Sequence, residues 1–178
     1  NKKIITLPLG EVKIKNEINS LLIIFRSFTN EDKLLSQNKK RIFEKEKKEY
    51  TLRSLKSICN NLSNLNKKFN KLNTFLKIID DDSNKSIVDE FNNICEKNNI
   101  KYDIEKLNKN KYSKKLNFND NPRMISHNCH IMQSKIFAIN ENFDLIYFVE
   151  DDYIHEKYAI EEMVCSYQKF SSQIEDDI

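Results

Sequence analysis

Glycine and proline are almost missing from this chain: one Gly and two Pro in 178 residues. Without a recurring glycine the chain cannot be collagenous. No apolar run approaches the ~18 residues that a membrane-spanning helix needs, and no signal-peptide pattern opens the sequence. The first residue is Asn1 rather than Met, as in an excerpt from a longer protein. A surplus of one charge sign is lacking too. Thirty basic residues face 27 acidic ones, and the resulting +3 does not by itself imply nucleic acid. Cys59, Cys95, Cys129 and Cys165 are scattered without a CxxC pair. That excludes a disulfide-rich scaffold and suits reduced core thiols in a cytosolic compartment.

What is present is enough for one domain, at the usual length of about 100–200 residues. Hydrophobic residues make up 39% and charged residues 32% of the chain, and a domain of this size buries roughly 70% of the surface its unfolded form exposes. Residues 1–20 alternate apolar and polar around Gly10 and read as an N-terminal extension or small hairpin, with the main domain over 21–178. LLIIF (21–25) is a continuous apolar run, the mark of a strand buried on both faces. The charged segment 31–50 reads as a loop or an exposed helix. Thr51 is a candidate N-cap for a helix with Leu52, Leu55, Ile58, Leu62 and Leu65 on one stripe.

FLKII (75–79) is a second strand, ending in Asp80-Asp81-Asp82-Ser83, and a helix carrying Ile87, Phe91, Ile94 and Cys95 follows. IKYDIE (100–105) reads as a further strand and 106–121 as an Asn/Lys-rich loop. Pro122 suits the first turn of another helix, reaching about Asn140. DLIYFV (144–149) is a strand ending in Glu150-Asp151-Asp152, before a last amphipathic helix from about Lys157 to Phe170. Strands alternating with helices predict an α/β fold, a mostly parallel sheet with helices on both faces. Such sheets bind ligands at the carboxyl ends of their strands, and both acidic clusters should emerge on that edge. Carboxylates gathered there repel one another, so the arrangement needs good solvation or a positive partner. A divalent cation with a phosphate-bearing ligand is one answer; helix capping by Asp is the simpler alternative.

The order of strand LLIIFRSFTN, helix TLRSLKSICNNL, strand FLKIIDDDSNKSI and strand DLIYFVEDDYIHEKYAIEEM resembles the nucleotide-sugar-binding half of a GT-A glycosyltransferase of the glycosyltransferase family 2 type, over roughly residues 21–170. The resemblance implies a GT-A-like (Rossmann-like) fold, incomplete at its C-terminus because no acceptor-binding half follows before Ile178. It implies that Asp80, Asp81 and Ser83 contact base and ribose, with Thr29 and Asn30 near the nucleotide and Arg123 and Asp151 on the donor. Glu150, Asp151 and Asp152 fall at the DxD-type motif and would hold a divalent metal, Mn2+ or Mg2+. The implied partners are a nucleotide-diphosphate sugar donor and a glycan or lipid-linked acceptor, with no nucleic acid. The implied setting is cytoplasmic, open to peripheral association with the inner face of the membrane. The implied role is glycan or surface polysaccharide biosynthesis. Asp82 stands where the family usually has Gly, and Lys85 where it often has Asp. Replacing Asp151 or Asp152 with Ala is expected to abolish metal-dependent donor binding and leave the fold intact. The alternative is a non-catalytic or degenerate nucleotide-sugar binder that needs a partner or the missing half.

Other signals carry less. His127, Cys129 and His130 lack a fourth zinc ligand at suitable spacing and read as ordinary helix residues. His155 lies just beyond the second acidic cluster, within reach of a phosphate or metal by sequence proximity alone. The basic run Lys39, Lys40, Arg41, Lys45, Lys47 and Lys48 is interleaved with Glu44, Glu46 and Glu49, which favours a solvated face. Phe25, Tyr147 and Phe148 lie in apolar strands and read as core. A receiver-like phospho-acceptor arrangement fits poorly, because its paired acids would have to end the first strand.

Overall fold

The computed structural model describes residues 13–29, 46–114 and 122–175, for Pro122 and Arg123 the backbone only. Among the described residues there are four strands, β1 (Ser20–Ser27), β2 (Asn73–Asp80), β3 (Tyr102–Lys106) and β4 (Leu145–Glu150). They form one sheet in the order β3-β2-β1-β4, and every pairing is parallel. The expected α/β class and parallel sheet are therefore present, with all four strands within three residues of the expected ends.

β1 is central, and its alternate residues serve two cores. Leu21, Ile23 and Phe25 face one side with Leu76 and Ile78 of β2. Leu22 and Ile24 face the other with Ile79. A strand covered on both faces has no polar side to show, which is why LLIIF is unbroken; each fully buried Leu, Ile or Phe contributes about 1.5–3 kcal/mol.

Helices α1 (Lys47–Lys68), α2 (Lys85–Lys97) and α5 (Ala159–Ile174) cover the first face. Leu55, Ile58, Cys59, Leu62 and Leu65 form the buried stripe of α1, and Ile87, Phe91 and Cys95 that of α2. The short α3 (Lys109–Ser113) and α4 (Pro122–Asn140) cover the second, through Tyr112, Cys129 and Ala138. Among the described residues no helix is long and apolar enough to cross a membrane.

Four local expectations change. Thr51 is not the N-cap: α1 begins at Lys47, after Glu46, because Thr51 has a buried tertiary partner instead. Of the basic run, residues 39–45 lie outside the described residues, Lys48 is exposed and pairs with Glu46, but Lys47 is buried. Phe148 is not core but 43% exposed: among the described residues β4 is an edge strand, and on the face that carries Phe148 only Ile146 of β4 packs against the second core. Within 106–121, residues 109–113 are helical. The expected hairpin falls mostly on residues 1–12, outside the described ones; residues 13–19 contain no strand, and the Lys15 and Asn16 amides donate to Ser172 Oγ of α5.

Candidate functional site

Parallel pairing brings the strand ends into one row. Lys106 aligns with Asp80, Asp80 with Ser27, and Arg26 with Glu150. The chain leaves β1 toward β2 on one side and returns through α4 to β4 on the other. The carboxyl ends of β1 and β4 therefore flank the point where strand order reverses, the crevice in which open α/β sheets hold ligands. Both acidic turns lie at this edge, as expected from the strands that precede them.

The turn after β2 is held from within. Asp80 Oδ1 accepts from Ser27 Oγ and Ser83 Oγ, each at 2.6 Å, and Oδ2 accepts from the Ser83 amide at 2.9 Å. The Thr29 and Ser83 hydroxyls meet at 2.7 Å, bridging the ends of β1 and β2. Thus Thr29, Asp80 and Ser83 form one cluster. Asp81 turns away from it, buried against Lys109 Nζ at 2.6 Å and the Ser126 hydroxyl of α4. Asp82 has φ of 62°, in the left-handed region where glycine carries no Cβ penalty. This is the position where the resembled family usually has Gly. Lys106 at 2.6 Å holds the exposed Asp82 carboxyl below its ordinary range.

The turn after β4 is organised differently. Glu150 pairs with Arg26 at 2.5 Å. Asp151 is buried: Oδ1 accepts from the Lys47 ammonium, and Oδ2 accepts from Thr51 Oγ1 at 2.9 Å and the Phe28 amide at 2.8 Å. Burial pushes this carboxyl upward, and the Lys47 charge with the two other donors pulls it back. Asp152 is exposed. Asn30 lies outside the described residues, and for Arg123 only the backbone, in the first turn of α4, is described.

Protein cations therefore answer the repulsion that made a metal attractive. Arg26 neutralises Glu150, Lys47 Asp151, Lys109 Asp81 and Lys106 Asp82. Glu150, Asp151 and Asp152 do not fit a shared metal as they stand, because both oxygens of Asp151 are taken by protein donors and Glu150 is tied to Arg26. Among the described residues, no group of three or more His, Cys, Asp or Glu side chains is arranged to hold a metal ion. That includes His127, Cys129 and His130; Cys129 and His130 are buried, and His130 Nε2 lies 3.2 Å from the Ile79 carbonyl. Burial pushes the His130 imidazole down to about 4. His155 Nε2 lies 3.0 Å from the Tyr147 hydroxyl, with the rings edge to face.

A cleft of about 290 Å3 opens beside the Arg26–Glu150 pair, lined also by Tyr147, Phe148 and Tyr153. Larger grooves of about 700 and 410 Å3 lie along α1 and the segment before α5, and none of the clustered acids lines them. Sequence reasoning missed Arg26, Ser27, Lys47, Lys109 and Ser126. The one available signal was Arg26 in an otherwise apolar strand, where a charge needs a partner. Comparison with known protein families, curated proteins and solved structures finds no match to this chain.

Proposed function

We propose that this domain binds a nucleotide-sugar donor across the carboxyl edge of the sheet, as the donor-binding domain of a glycosyltransferase of the GT-A type. The observation that carries this reading is the row of strand ends: the acidic turns after β2 and β4 flank Phe28 and Thr29, which follow β1, next to the strand-order reversal between β1 and β4. The left-handed Asp82 adds support, since the turn has the backbone shape that a glycine-bearing motif provides. The assignment to sugar transfer, in glycan or surface polysaccharide assembly, rests on the motif resemblance.

In this reading Asp80 is a positioning residue. It is anchored by the buried Ser27 hydroxyl and fixes that of Ser83, and through Ser83 that of Thr29, so that the half-buried hydroxyls of Ser83 and Thr29 meet the nucleoside with little freedom left to lose. Asp81 fixes the same turn against α4 through Ser126 and against Lys109. Asp151 ties the first residue after β1 to the end of β4, setting the width of the crevice. By the motif resemblance Asp152 belongs to the diphosphate side, and Asn30 and Arg123 are the residues that would contact the donor. In the transfer, the bond from the anomeric carbon to the diphosphate oxygen breaks and its electron pair leaves with the diphosphate. The acceptor hydroxyl oxygen bonds to that carbon, and its proton passes to solvent or to a base outside the described residues.

The test is a melting-temperature panel of nucleoside diphosphates and UDP- and GDP-sugars, each with Mn2+ and with EDTA. A ligand at about 100 times its dissociation constant stabilises by roughly 2.7 kcal/mol, a shift of several degrees. A shift selective for one base supports the reading. No shift from folded protein with any donor under either condition overturns it.

A further inference from the structure

Asp151 lies in the segment where the motif resemblance puts a metal ligand, yet both of its oxygens already accept from protein donors, one of them an ammonium. Its side chain is 10% exposed and that of Lys47 only 5%. A divalent cation binds carboxylate oxygens that have lone pairs to spare, and keeps water or phosphate oxygens around the rest of its shell. Here the ammonium takes Oδ1, while a hydroxyl and a backbone amide take Oδ2. Thr51 follows Lys47 by one helical turn, so both reach the same carboxylate from one face of α1. The three donors come from α1 and from the residue after β1, so the contact joins parts of the chain about a hundred residues apart.

The geometry points to Lys47 as the resident cation of this edge: its ammonium fills the position at Asp151 that a divalent metal would need, and Asp151 is a structural anchor and not a metal ligand. The inference deepens the donor-binding reading of the same edge. It confines any metal requirement to Asp152 and the phosphate oxygens of the donor itself.

The test uses the unaltered full chain. Its amines are acetylated briefly at neutral pH with a reactive ester, alone, with Mn2+, and with Mn2+ plus UDP or GDP, and labelling is read at each lysine by mass spectrometry. Lys48, half exposed, is the internal reference. Lys47 is expected to label at least about tenfold more slowly than Lys48 under all conditions, as a group that reacts only through local opening. Labelling of Lys47 at the rate of Lys48 without additions overturns the inference, and so does a rise to that rate when Mn2+ is present. A second measurement follows Mn2+ binding by electron paramagnetic resonance in folded Lys47→Gln protein. Removing the ammonium is expected to create a Mn2+ site that the native chain lacks, and a native chain already holding Mn2+ at Asp151, with the ion lost in Asp151→Asn, overturns the inference. A failure of UDP and GDP to bind leaves these readings intact and counts only against the donor assignment.

Discussion

Asp151→Ala removes the acceptor from three donors at once, and its cost follows from what stays behind. The Lys47 ammonium remains in a site where its side chain is 5% exposed, and the Phe28 amide loses its acceptor. Breaking a buried ion pair by deleting one partner costs about 3–5 kcal/mol, because the surviving charge is uncompensated. For a chain of this length that is a fall of roughly 6–20 °C in melting temperature. The sequence alone suggested that this substitution leaves the fold intact; the buried contacts argue otherwise. Urea unfolding followed by circular dichroism, at neutral pH and without metal, measures the effect. Asp152→Ala, one residue on and exposed, serves as a control and should change stability by less than about 0.5 kcal/mol. The double variant Lys47→Met with Asp151→Ala should recover part of the loss, since no charge is stranded. Asp151→Ala within about 1 kcal/mol of the native protein would mean that the Lys47–Asp151 contact does not hold the fold together.

Three further outcomes are expected. Lys77 is buried in β2, but its partners Asp103 and Glu105 are half exposed and its ammonium lies 4.5 Å from the Phe137 ring. Lys77→Met fills the same space and frees two carboxylates to water, so urea unfolding should find it within about 1 kcal/mol of the native chain; a loss of several would count against this. His130 is neutral, with its pKa lowered from the ordinary 6.5 to about 4. Between those values the unfolded state binds a proton that the folded state refuses, so this stability is complete above about pH 6.5 and falls, by roughly 3 kcal/mol in all, as pH drops toward 4. Stability against pH for His130→Gln should be flatter than the native curve across that window, and parallel curves would contradict the assignment. Asp82→Gly removes a Cβ from a left-handed residue and should leave thermal stability unchanged or raised, whereas a clear fall would mean that the exposed Lys106 pair matters more than the backbone.

The strands were legible because three of them are apolar runs that only a covered sheet explains, and the acidic turns because they follow such strands directly. The start of α1 was not. Lys47 sits in a run of alternating Lys and Glu, and nothing local separates it from Lys48; its burial depends on Asp151, 104 positions away. The same holds for Lys109, hidden in an Asn/Lys-rich stretch, whose partner is Asp81. The carboxylates could be seen from strand ends, but the cations that neutralise them are chosen by tertiary packing. For that reason electrostatic repulsion alone pointed to a metal, while the structure answers it with four basic side chains. The turn at Asp82 shows the converse: a departure from the family pattern in residue type, where the backbone still takes the left-handed conformation that a glycine adopts readily.

Amide hydrogen exchange of the full chain, with and without a saturating nucleoside diphosphate, tests donor binding at the carboxyl edge most directly. A donor held there slows exchange at Phe28 and Thr29, at residues 81–84 and at residues 151–153, and leaves the opposite edge around Asn19, Asn73 and Asp144 unchanged. Protection confined to the grooves along α1, or no protection by any nucleoside diphosphate, would contradict donor binding at this edge.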